Sequence, residues 1–273
     1  MKLLIITTYK DLSCHRIIEE AELKGIETVK LEYHDADPDS LKSDFCILRH
    51  PRGFEEEFPG FMKKMVSVLR SNQLLDYSTF KNHPEYEDKI YQHKLYGKIA
   101  KMPRHWSFSS VEEARLDFPV IAKKRFSGKC RHVFILDSEE EMKKLFAGED
   151  ITEYIFEEYL KFEKDVRVVV LNRQVIGAVE RSINVKKKRN GFMGIGVRVK
   201  ERYKMSEEME ELAVKIAETS GADFCGIDFA VMNGVFYLIE CNLMPEFATS
   251  EPAIETNVAE KLVDFILEKI TQI

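Results

Sequence analysis

The stretch from Ile227 to Asn242 constrains this chain more than any other. Two apolar segments flank Asn233-Gly234, a pair that favours a tight hairpin turn because both residues tolerate positive φ. Outside the turn, acid or amide side chains occur at Asp228 on one strand and at Glu240 and Asn242 on the other. Strand side chains alternate, so Glu240 and Asn242 share a face. Whether Asp228 joins them depends on the turn. A two-residue turn at Asn233-Gly234 pairs Asp228 with Ile239 and sends Glu240 to the opposite face. A three-residue turn, Met232-Asn233-Gly234, pairs Asp228 with Leu238 and sets Glu240 diagonally on the same face. These side chains offer only hard oxygens, which suit Mg²⁺ or Mn²⁺ and not zinc. The plainer reading is a solvent-facing polar strand. Against it stand the apolar neighbours Phe229, Leu238 and Ile239, and the poor strand-forming tendency of a carboxylate beside an amide.

A cation held this way commonly completes its shell with phosphates, and the chain has groups to receive them. Lys123 ends an apolar strand and is followed by Ser127-Gly128, which suits a loop folded over phosphate. Lys186, Lys187, Lys188 and Arg189 precede Asn190 and Gly191. Singly, Lys123 reads equally well as a surface lysine and the basic run as a solvated loop. Together with the three oxygen donors they make a metal–triphosphate site, with cations to neutralise charge during phosphoryl transfer.

The start of the chain alternates strand and helix. Leu3–Thr7, Glu27–Leu31 and Asp44–Leu48 read as strands, with Gln73–Leu75 a short closing one. A helix capped by Ser13 runs to Lys24 and stops at Gly25, and a second covers Phe61–Leu69. This rhythm predicts a small parallel sheet, whose ligands would meet the loops Thr8–His15 and Arg49–Gly53 at the strand ends. Tyr77–Glu87 reads as a linker before a helix over 88–100. Hairpins follow: strands at Val120–Lys124, Val133–Leu136, Tyr154–Leu160, Asp165–Leu171 and Gln174–Arg181. Ser138 with Glu141 forms a capping box for a helix at Glu139–Phe146. Ser206 caps another that ends near Gly221, and Val258–Ile270 is an amphipathic helix. The fold class is therefore α/β followed by α+β.

Bulk properties exclude several classes. The net charge of −6 supplies no field for nucleic acid or an anionic membrane. No apolar run approaches the about 20 residues that span a bilayer. Five scattered cysteines without a Cys-x-x-Cys pair fit a reducing compartment, so the expected location is cytoplasmic. Cys14 and Cys130 sit in polar sequence; the others read as core residues.

Cys225-Gly226-Ile227-Asp228-Phe229 with Leu238-Ile239-Glu240-Cys241-Asn242 resembles the metal-binding signature of the ATP-grasp superfamily, in its RimK-like branch of glutamate and amino-acid ligases. Three further stretches resemble it in order: Phe118–Lys123, Phe156–Leu160 and Lys164–Val168. The resemblance runs from about Asn82 to the C-terminus. It implies a small domain over residues 1–80, then a two-lobed ATP-grasp fold with a central subdomain 81–160 and a metal-bearing subdomain 161–273. It implies nucleotide contacts from Lys89, Lys123, Glu158, Leu160 and Asp165, with adenine against the strand from Glu157; the basic run adds Lys187 as a phosphate contact. Asp228, Glu240 and Asn242 would hold two Mg²⁺ ions (or Mn²⁺), and Arg181 and Asn190 would lie near the γ-phosphate and acyl phosphate. Without the resemblance, Asp165 and Arg167 read as a surface salt bridge.

The expected activity is ADP-forming, Mg-dependent ligation of a small carboxylic acid to an amine through an acyl phosphate, with ATP as the energy source. A small-molecule kinase of the same fold and a non-catalytic nucleotide-binding module are the alternatives. Arg49, His50, Arg131 and Lys187 hint at an anionic acid. Two stretches depart from the family: the lid Arg125–His132 has one glycine, Gly128, and Met244-Pro245-Glu246 replaces a usual Ser-Pro-Gly near the acceptor.

Overall fold

The computed structural model describes residues 1–7, 12–49, 58–128, 130–187 and 192–271 of the 273. Three strands, β1 (Lys2–Thr7), β2 (Glu27–Glu32) and β3 (Phe45–Arg49), form a parallel sheet in the order β2-β1-β3. Strands β1 and β3 are buried nearly throughout, which is why both read as continuous apolar runs. Between β1 and β2 runs helix α1 (Leu12–Leu23), closed by Gly25 at φ +72°. Ser13 does not cap it. It lies inside the first turn, and its hydroxyl accepts from the backbone N–H groups of Phe247 and Ala248 at 2.9 and 3.2 Å. Cys14, expected in a polar setting, is buried in the core.

After helix α2 (Phe58–Val68), the expected strand at 73–75 reduces to a single bridge between Cys46 and Leu74. The expected linker contains helix α3 (Tyr77–Asn82). Helix α4 (Lys89–Tyr96) is capped by Asp88, whose Oδ1 accepts from Ile90 N at 2.9 Å. Then come β4 (His105–Trp106), β5 (Val120–Lys124), β6 (Val133–Leu136), α5 (Glu139–Phe146) and β7 (Tyr154–Glu158). Ser138 caps α5 through Glu141 N at 3.2 Å, while the Glu141 carboxylate reaches back to Asp137 N at 2.9 Å.

Strands β8 (Lys164–Leu171), β9 (Gln174–Lys187) and β10 (Met193–Arg202) follow, then α6 (Glu207–Ser220), β11 (Phe224–Met232), β12 (Val235–Leu243), α7 (Glu251–Ile254) and α8 (Val258–Thr271). Strand β9 is six residues longer than its sequence pattern suggested, and β10 was not anticipated. Both are largely half-exposed ribbon, so neither carries a clean apolar alternation.

The nine later strands form one sheet, ordered β12-β11-β8-β9-β10-β6-β5-β7-β4. Among the described residues, strand pairing joins its two halves where Met193 and Gly194 of β10 pair with Ile135 and Phe134 of β6. A cleft between the halves follows from that narrow join. One core lies beneath β5, β6, β7 and α5, and another packs α6 on β8 and β11. A third fuses α1 and α8 with both sheets. Helix α6 buries Met209, Ala213, Ile216 and Ala217 along one stripe; each larger side chain so placed contributes about 1.5–3 kcal/mol. Among the described residues, no helix is long and apolar enough to cross a membrane.

Candidate functional site

The β11–β12 turn is the two-residue kind, with Asn233 and Gly234 at φ +50° and +72°, and Met232 pairs with Val235. Neither register expected from the turn alone is the one observed. Ile239 is bulged: Phe229 pairs with Leu238, and Asp228 pairs directly with Glu240. The bulge cancels the face reversal that a two-residue turn would impose. Asp228, Glu240 and Asn242 therefore line one cavity of about 810 Å³, and Ile239 lines it too.

Neighbouring strands complete the face. Arg167 on β8 stands opposite Asp228, donating to Oδ1 from Nε at 2.7 Å and to Oδ2 from an Nη at 2.8 Å. Arg181 on β9 stands opposite Asp165, hydrogen-bonds it, and also reaches Asp228 Oδ2 at 3.1 Å. In place of the surface Asp165–Arg167 pair that the sequence suggests without the resemblance, there is a buried cross-strand network on three strands. Burial alone would raise the Asp228 carboxyl, but Arg167 and Arg181 outweigh it and hold Asp228 below the usual range. Asp165 is pushed up instead, by burial and by Asp228, with Arg181 only partly compensating. Gly226 leaves room for this arrangement. A Cβ there would lie 2.7 Å from Pro245 Cβ and 3.6 Å from Arg167 Cδ.

A second buried cluster lies on the other half of the sheet. Lys123 on β5 is hydrogen-bonded to Glu157 on β7, whose other oxygen is 3.1 Å from His93 Nε2. His93 in turn stacks on His105 with ring centroids 4.0 Å apart. Burial opposes ionisation of Glu157, yet Lys123 and His93 overcome it and bring the carboxyl down to about 2. Burial and the nearby His93 lower His105. Glu158 is turned to Arg104, which donates from N and Nε at 2.9 Å each. Leu160, past the end of β7, lines the cavity. Lys89 ties the halves together: its Nζ donates to Ser127 O at 2.7 Å and stands 3.7 Å from Glu240 Oε1.

Lys187 is exposed near the tip of the β9–β10 ribbon and does not line the cavity. Arg131 is exposed too. Arg49 is fully buried, with an Nη 3.4 Å from Pro245 O, behind the cavity wall. Asn190, Lys188, Arg189 and the loop residues 8–11 and 50–53, His50 among them, lie outside the described residues.

Sequence reasoning passed over Gln92. This buried side chain accepts from Cys241 N at 2.9 Å and donates to Cys241 O at 3.0 Å and Tyr86 O at 2.9 Å. It fastens the sheet's edge strand β12 at the residue between Glu240 and Asn242. The only sequence signal is a long polar residue on the inner face of α4. His93, one position on, was missed for the same reason. Arg198, on β10, lines the cavity and has no carboxylate partner among the described residues.

The oxygen donors fit a hard divalent ion. Asp228 Oδ1 accepts one hydrogen bond and keeps a lone pair. Glu240 and Asn242 present further oxygens from adjacent positions on the same face.

Residues 97–266, more than half of the chain, match the family model for a RimK-like ATP-grasp domain. N-acetylaspartylglutamate synthase A of Mus musculus is 32% identical over 171 residues, which are 60% of this chain and 44% of that one. β-Citrylglutamate synthase B of Danio rerio is 30% identical over 232 residues, 82% of this chain and 54% of that one. The chain thus spans about half the length of these relatives. A RimK domain ATP-grasp protein from Sphaerobacter thermophilus has the same fold, with TM-score 0.73 over 98% of this chain and 100% of that one at 14% identity.

Proposed function

Because the chain belongs to the RimK-like ATP-grasp family, we propose that it joins a small carboxylic acid to an amine at the expense of ATP, through an acyl phosphate. The observation that carries this is the pairing of Asp228 with Glu240, beside Asn242 and under Arg167 and Arg181, in one cavity with Lys123 and Leu160. The names of the two synthases above support amide formation, and the cavity supports the rest.

On this reading, adenine lies against the backbone beyond Glu157, while Lys89 and Lys123 neutralise phosphate oxygens. Asp165 takes the ribose. Asn190 is assigned with Arg181 to the γ-phosphate and acyl phosphate, and Lys187, outside the cavity lining, is given no nucleotide contact. Asp228, Glu240 and Asn242 would hold Mg²⁺, which supplies charge neutralisation at the β- and γ-phosphates. Arg181, fixed by Asp165 and Asp228, stands where negative charge spreads as a carboxylate oxygen attacks the γ-phosphorus and ADP departs. The amine then attacks the acyl carbon, phosphate leaves with the former carboxylate oxygen, and an amide remains. The chain's own task is to bind, orient and exclude water; no side-chain nucleophile is involved. The substrates are small molecules, and neither nucleic acid nor a membrane takes part, in keeping with the net charge of −6. The reaction belongs in the cytoplasm, in keeping with five cysteines that form no disulfide.

The test is release of ADP and phosphate from Mg-ATP against a panel of amino acids and dicarboxylic acids, with Asp228→Asn as control. Release that needs both an acid and an amine, and is lost in the variant, supports ligation. Release with an acid or alcohol alone supports a kinase, and binding without turnover a regulatory module.

A further inference from the structure

We propose that Glu246 receives a second ammonium group on the acceptor amine, so that the acceptor is a diamine or a basic amino acid. This rests on the ligase reading above. Four residues past Asn242, Glu246 lines the same cavity. Its Oε1 accepts from Ser13 Oγ at 3.1 Å and from Thr249 N at 3.3 Å, and its Oε2 accepts from Thr249 Oγ1 at 2.6 Å. All three donors are neutral. Among the described residues, no lysine, arginine or histidine pairs with this carboxylate.

Five other acids of the cavity face cations: Asp228 and Asp165 face Arg167 and Arg181, Glu157 faces Lys123, Glu240 faces Lys89, and Glu158 faces Arg104. Glu87, on the lining as well, accepts from Tyr86 Oη at 3.2 Å. Glu246 is therefore a half-buried negative charge in a partly desolvated cavity where a cation gains more than in water. Its position is also built. Ser13 is fully buried and its oxygen already accepts from Phe247 and Ala248, so its single proton is left for Glu246. Helix α1 and the loop after β12 are locked around the carboxylate.

The location suits the second substrate. Lys123 and Glu157 lie on β5 and β7, whereas Glu246 follows β12 at the opposite margin of the sheet, the margin that also carries the Asp228–Glu240 pair of β11 and β12. A nucleotide on the β7 side with its phosphates at that pair leaves the Glu246 end for the acceptor. An anionic acceptor would meet repulsion there; one with a distal ammonium forms a charge-assisted hydrogen bond.

The test is calorimetric binding of L-lysine, L-norleucine and L-glutamate to the full chain loaded with Mg·ADP. Lysine and norleucine share a carbon chain and differ by the distal ammonium group. Lysine is expected to bind at least about tenfold tighter than norleucine, with glutamate weakest. Glu246→Gln, whose Oε1 can still accept from Ser13 Oγ and Thr249 N while its amide nitrogen donates to Thr249 Oγ1, is expected to abolish the lysine preference. Equal binding of lysine and norleucine, tighter binding of glutamate, no binding by any of the three, or a lysine preference that survives Glu246→Gln would each overturn the proposal. Failure of Mg·ADP itself to bind would instead overturn the ligase reading.

Discussion

Glu157 is a fully buried carboxylate kept ionised by Lys123 and His93, and that makes the fold acid-sensitive in a definable window. Its folded pKa, about 2, lies below the ordinary 4.5. The stability it contributes is complete above pH 4.5 and is lost as pH falls towards 2. Urea midpoints measured between pH 6 and 3 should therefore record a loss from this group of about 1.4 kcal/mol per unit below that point. Glu157→Gln should be flatter across the window, and less stable at pH 7 by about 3–5 kcal/mol because Lys123 is left buried without its counter-charge. An unchanged acid slope would contradict this. Neither the Lys123–Glu157 pair nor the Arg167–Asp228 pair was legible in the sequence. Each joins residues far apart in the chain, and nothing local marks a lysine or arginine as buried. Asp228, Glu240 and Asn242 were legible because polar oxygens stand out in apolar strands.

At the scale of elements, the hairpin carrying those oxygens depends on α4. Gln92 supplies edge strand β12 with the hydrogen bonds an adjoining strand would have given, at Cys241 and so between Glu240 and Asn242. Gln92→Leu leaves Cys241 N–H and C=O unpaired, an expected destabilisation of about 1–3 kcal/mol. More telling is the metal dependence. The variant should need several-fold more Mg²⁺ to support nucleotide binding, because Glu240 and Asn242 lose their fixed spacing, whereas a purely structural residue would shift only the urea midpoint. Titration of nucleotide binding against Mg²⁺ separates the two. Elements with capped helices or full burial, such as α5, α6, β1 and β3, were legible in the sequence. The bulge at Ile239 was not, because it is forced by reconciling a two-residue turn with a common face for Asp228 and Glu240. The part of β9 beyond Arg181 and all of β10 escaped for want of a buried side to impose alternation.

At the scale of the molecule, Asp76 joins the small parallel sheet to the large one. Its Oδ1 accepts from Asp223 N and Phe224 N at 2.7 and 3.0 Å, while its Oδ2 has no partner among the described residues. Burial, and then the nearby Asp223, push it up to about 8 from an ordinary 3.8. Between those values the folded chain holds a proton the unfolded chain has released, so stability falls as pH rises, by at most about 1.4 kcal/mol per unit. Asp76→Asn should keep the Oδ1 bonds and remove that slope between pH 5 and 8; coincident slopes would refute the assignment. The parallel sheet was legible from its buried strands, but its fusion with the larger one through α1, α8 and Asp76 was not. The central claim is that a substrate carboxylate takes the γ-phosphoryl group before the amine arrives. Turnover of a carboxylate labelled with ¹⁸O at both oxygens tests it most directly, by mass spectrometry of the released phosphate. One labelled oxygen in each phosphate, and one kept in the amide, is the expected result. Phosphate released without label would contradict an acyl phosphate and the function proposed for this site.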